Sequence, residues 1–186
     1  MALAIVLGAA VAADLLFLTR AAFRPIDRTT ILSADYLSIL VAGGLLALWV
    51  TGVALALQWS ANPAFISNEK FWAKVFIVVL LTINAELIHD VILPCLRARV
   101  GQRMFEGLNV RDRLLFALGG ALSISSWLFP TLLGAARELN NRTPAHEILT
   151  CYYVSLGLGF ATILALSVIS ALRAREATQV LRPARS

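Results

Sequence analysis

Residues 71–96 read FWAKVFIVVLLTINAELIHDVILPCL, and the length and apolarity of this run decide the fold class. An α-helix rises about 1.5 Å per residue, so roughly 20 apolar residues cross the ~30 Å hydrocarbon core of a bilayer. Four further runs have the same character: Ala2 to Leu18, Ile31 to Gln58, Leu114 to Ala136 and Ala145 to Leu172. The 186-residue chain is 59% hydrophobic and only 15% charged, whereas soluble domains carry about a quarter charged residues. Its mean hydropathy is +0.80. The sequence therefore predicts one all-α integral membrane domain over residues 1–186, a bundle of about five transmembrane helices.

Local signals agree with those boundaries. Asn62-Pro63 marks a turn before the third run, and Thr143-Pro144 reads as an N-cap and first-turn proline opening the fifth. The first run has Arg20, Arg24 and Arg28 after its apolar stretch and no basic residues before it. It reads as a short span rather than a cleaved signal peptide. Trp59 and Trp72 flank the second connection, where indole rings favour the membrane interface. Glycines at 43, 44, 52, 119, 120, 157 and 159 offer close helix approach. Pro130 should free a carbonyl near Ser126.

Charge sets the expected orientation. Arginines gather in the first connection, in the third (Arg97, Arg99, Arg103, Arg111, Arg113) and in the tail (Arg173, Arg175, Arg182, Arg185). Connections two and four hold few. The positive-inside rule then places the N-terminus outside and the C-terminus in the cytoplasm. The net charge of +5 follows from this distribution and implies no nucleic-acid partner, since no basic run is interleaved with stacking aromatics. Cys95 and Cys151 fall towards opposite faces, too far apart for a disulfide.

Ionisable side chains inside a span cost about 2.5–3.5 kcal/mol each at the centre, so they mark functional candidates. The third run is richest in them: Lys74, Thr82, Asn84, Glu86, His89 and Asp90. At roughly 100° per residue, Thr82, Glu86, His89 and Asp90 share one face, with Arg97 on the same side. Asp14 in the first run and Asp35 early in the second lie at a comparable depth. Glu86 and His89, at i and i+3, could together handle protons or hold a cation. Asp14 could complete such a site and Asp90 orient the imidazole. The structural reading has Asp35 serving the helix dipole and Glu86 pairing with a nearby arginine. A metal ion held by Glu86, His89 and Asp14, or a haem, are the cofactors the residues admit. His89 and His146 cannot share one haem, because they belong to opposite ends of the bundle. Hydrolase, zincin, P-loop and dinucleotide motifs are absent, which points away from a familiar enzyme.

The stretch Phe71-Trp72-Ala73-Lys74 through Asn84 to Leu93-Pro94 resembles one helix of copper-resistance D-type (CopD-like) membrane proteins. The resemblance covers about one helix and implies a bacterial inner-membrane protein in copper handling or redox work. It makes Lys74, Asn84 and Pro94 shared positions with structural roles. Three functions are thus expected to compete: a proton- or cation-handling membrane protein, a CopD-like redox or b-type haem protein, and a non-catalytic subunit. In the last, the polar stripe docks a membrane-protein partner or a second copy.

Overall fold

The structure is a computed structural model and describes residues 25–59, 67–135 and 143–181. Five α-helices are present among them: α1 (Arg28–Trp59), α2 (Glu69–Leu87), α3 (Leu93–Arg97), α4 (Val110–Ala135) and α5 (Ala145–Leu181). A π-helical turn, Ile88–Ile92, joins α2 to α3 into one continuous rod. Four stretches are long and apolar enough to cross a membrane: Arg28–Gln58, Glu69–Arg97, Val110–Ala135 and Ala145–Arg173. The second to fifth expected spans therefore appear, with shifted ends. The expected first span, Ala2 to Leu18, lies outside the described residues, as do the Asn62-Pro63 turn and the side chain of Trp59.

The starts of α1, α2, α4 and α5 each have a side chain receiving a free N–H group, as helix ends require. Asp27 accepts from the Thr30 backbone at 2.7 Å and from the Thr29 hydroxyl at 2.8 Å. Asn68 accepts from the Lys70 backbone and Asn109 from that of Asp112. For α5 the capping group comes from another helix: Ala145 N donates to Glu69 Oε2 at 2.6 Å. Helix α5 starts just after the Thr143-Pro144 pair, and this carboxylate fixes the beginnings of α2 and α5 at one end of the bundle.

The core is the antiparallel pair α4 and α5, with α2 packed on α4. Small residues bring α4 and α5 together: a Cβ added at Gly159 would stand 3.4 Å from the Ala121 Cβ. Buried Ser126 and Tyr152 share a hydrogen bond of 2.8 Å across the same interface. Between α2 and α4, Asn84 is 1% exposed and its Nδ2 donates to the Gly119 carbonyl at 3.0 Å. Gly119 permits that approach, since a Cβ there would meet Ile92 Cδ1 at 2.6 Å. By contrast, nothing lies within 4 Å of a Cβ at Gly43, Gly52 or Gly157, so those glycines make no close approach among the described residues.

Helix α1 is held loosely. Only 6% of its most apolar window is buried, against 44% for α4. It touches the bundle where Leu45 meets Leu81 and Trp127, where Trp49 Nε1 donates to Thr82 Oγ1 at 3.1 Å, and at one ion pair described below. Its entry is anchored better. Ile26, 1% exposed, donates its N–H to the Gln102 carbonyl and accepts from Gly101 N. Gly101 takes a φ of +89° to make that turn, a conformation that favours glycine. Met104, Phe105 and Leu108 are buried beside Ile26 and Phe116, so the connection after α3 is a packed plug rather than a solvated loop. The exchange between residues 25–26 and 101–103 also places the basic segments flanking α1 and α3 at the same end.

Two outcomes test this packing. Gly119→Leu should cost about 1–3 kcal/mol by overpacking, whereas Gly43→Leu should stay within about 0.5 kcal/mol; reversible unfolding in mixed micelles measures both. The second concerns Asp27, whose bonds from the Thr30 side chain and backbone and from Thr29 hold its carboxyl down from the ordinary 3.8 to about 2. Because the folded value is depressed, the cap's contribution is complete above about 3.8 and is lost as pH falls through about 2. The Thr30 amide resonance should accordingly titrate with a midpoint near 2; a midpoint at the ordinary aspartate value would mean that the cap does not form.

Candidate functional site

Helix α2 presents two rows at helical spacing. Lys70, Ala73, Ile77, Leu81 and Asn84 are buried against the bundle. Trp72, Phe76, Val79 and Ile83 form the opposite, exposed row, and Glu86 and Asp90 continue that row along the rod. Its first part thus suits lipid, and its last part carries two carboxylates.

The change of character coincides with the π turn. Pro94 has no N–H, and in an α-helix its ring would strike the carbonyl of Asp90. Here the Leu93 N–H reaches back to the Ile88 carbonyl, five residues earlier, and the wider turn gives the Asp90 carbonyl room. The extra residue rotates everything beyond it by roughly one residue's 100°. Arg97 is therefore turned away from the stripe on which uninterrupted α-helical spacing places it. Its Nη2 lies 2.6 Å from Asp35 Oδ1 on α1. Asp35 stands two turns inside α1, which starts earlier than the sequence suggests, at Arg28. It serves as an ion-pair partner and not as a complement to the helix dipole. Both side chains are substantially exposed, so the pair contributes little stability by itself.

The sequence candidates are distributed as follows. Glu86, His89 and Asp90 are neighbours on the rod and all three are exposed. Among the described residues their side chains have no hydrogen-bond or ion-pair partner, and no group of three or more His, Cys, Asp or Glu side chains is placed to hold a metal ion. Asp14 lies outside the described residues. Thr82, expected on the same stripe, instead accepts from Trp49. Glu86 sits about 4.5 Å past the midpoint of the Glu69–Arg97 rod, and His89 about 12 Å before Arg97. Both therefore belong to the depth of the hydrocarbon. His146 is exposed in the first turn of α5, at the end fixed by Glu69. The two imidazoles are thus about 30 Å apart along the bundle, which rules out a haem shared between them. Cys95 and Cys151 are both free thiols.

A feature that sequence periodicity does not announce lies beside His89. A cavity of about 150 Å³ separates α1 from the rest of the bundle. Ala34, Leu37 and Val41 of α1 form one wall, and Ile88, His89 and Ile92 of the π turn form the facing one. Phe116 and Ser123 of α4 line the back. Leu45, Leu81 and Trp127 pack together further along the same helices. The Asp35–Arg97 pair and the π turn were also beyond sequence reasoning, although Pro94 was the available signal for the second.

Compared with protein-family models, with curated proteins and with solved structures, the chain finds no match.

Proposed function

We propose that this chain is a multi-pass protein of a bacterial-type inner membrane that handles protons or a small cation at Glu86 and His89. The observation that carries the reading is the exposure of Glu86, His89 and Asp90 within the span, without partners among the described residues. A carboxylate left against hydrocarbon costs about 2.5–3.5 kcal/mol, so the row calls for cover by protein or water. A carboxylate and an imidazole one helical turn apart can pass a proton between them. Asp14 would join the site from the first apolar run, and Asp90 would orient His89. In this reading the N-terminus is outside and the C-terminus cytoplasmic, with five spans. The grouping of the arginine-bearing segments at one end supports it.

One observation favours a second reading. The carboxylates continue the same outward row as Trp72, Phe76, Val79 and Ile83, so a partner helix or second copy laid along that row would cover apolar and ionic groups together. The chain would then be a non-catalytic subunit. The CopD-like redox reading rests on Lys74, Asn84 and Pro94; the packing of Asn84 on Gly119 and the π turn before Pro94 give the last two structural work that needs no copper or haem.

Proteoliposomes loaded with a pH-sensitive dye and given a potassium diffusion potential test proton handling. Wild type should dissipate the imposed gradient, and Glu86→Gln and His89→Ala should each slow this by tenfold or more, in keeping with loss of a general acid–base group of about 10²–10⁴ in rate. Equal rates in wild type and both variants, or no flux in wild type, would refute it. Copurification of a second membrane protein that Glu86→Leu abolishes would favour the subunit reading.

A further inference from the structure

The cavity beside His89 has a size, a lining and a position that together select a ligand. Its volume of about 150 Å³ is that of an apolar cavity able to take one benzene ring. The walls are apolar apart from Ser38, His89 and Ser123, with Met104 and Phe116 set among the aliphatic side chains. Ser38 already donates to the Asp35 carbonyl at 2.8 Å, and Ser123 is likewise engaged. Only His89 has a hydrogen-bonding side chain without a partner among the described residues. An acyl chain would fill the space and leave the imidazole unsatisfied. A phospholipid headgroup would bring charge into an apolar wall.

Position narrows the class further. The cavity runs from Leu96 and Met104 at the Arg97 end to His89, about 12 Å along the rod and inside the hydrocarbon depth, where a membrane-dissolved ligand can reach it. One wall is α1, the least buried of the four spans among the described residues, which can yield sideways. We propose that this cavity binds the ring of a membrane-dissolved quinone or quinol, with a ring oxygen hydrogen-bonded to the His89 imidazole. The ring fills the aliphatic space between α1 and the π turn, and the isoprenoid or alkyl tail leaves past α1 into lipid. This site shares His89 with the proposed proton handling, but its apolar part can be blocked from α1 without altering Glu86 or His89.

The test uses the full chain in lipid nanodiscs and a benzoquinone carrying a decyl tail. Wild type should bind it saturably. Ala42→Phe, which fills the cavity from an exposed position on α1, should abolish saturable binding. His89→Leu should weaken it roughly tenfold, the loss of one hydrogen bond. Decylbenzene, with the same tail and no ring oxygen, should bind more weakly to wild type and be indifferent to His89→Leu. Photolabelling with an azido derivative should modify residues 34–42 and 88–96. Non-saturable uptake equal in wild type and Ala42→Phe, decylbenzene binding as tightly as the quinone, or labels confined to other helices would each overturn the proposal.

Discussion

The hydrogen bond from Asn84 to the Gly119 carbonyl joins the helix that bears the ionisable residues to the helix pair that forms the core. In hydrocarbon there is no water to satisfy the Asn84 Nδ2 or the Gly119 carbonyl, so the two helices meet where these two atoms pair, while Asn84 Oδ1 stays buried without a partner among the described residues. The absent side chain of Gly119 lets the backbones come close enough for the bond, and Ile92 fills the remaining space. Lengthen that side chain and α2 must move away from α4. With it would go the rotation that turns Ile77 and Leu81 inward and Glu86 outward.

Polar contacts of this kind recur through the bundle while its apolar surface is left outside. Ser126 with Tyr152 joins α4 to α5, and Trp49 with Thr82 joins α1 to α2. Each is modest in energy, typically about 0.6 kcal/mol between membrane helices, but each specifies one register. Exposed Leu, Ile and Val along α1 and α5 cost nothing beside lipid tails. Against that background Glu86, His89 and Asp90 are the exception, and the exception is local to the π turn.

The π turn couples the three features around which function is argued. Its wider winding accommodates Pro94, turns Arg97 towards Asp35, and sets His89 at the wall of the cavity while Glu86 and Asp90 stay outside it. An uninterrupted α-helix from Glu69 to Arg97 would instead line Arg97 up with Glu86. The arginine would then lie on the carboxylates' face, about three turns beyond Glu86, rather than beside Asp35.

By itself the sequence determined the spans. Transfer of a long apolar run into hydrocarbon depends on length and composition alone, so the segments around Ile31–Gln58, Phe71–Leu96, Leu114–Ala136 and Ala145–Leu172 were readable without any partner, and each appears in the structure. The third run's concentration of ionisable residues was readable for the same reason. What tertiary structure decided was which of those residues meet. Thr82 left the stripe for Trp49, and Arg97 left it for Asp35; neither partner is local in sequence. The helix rotation set by Asn84 on Gly119, the register break before Pro94 and the gap beneath α1 depend on how surfaces from distant segments fit. A periodicity counted at a constant angle per residue carries no information about that fit.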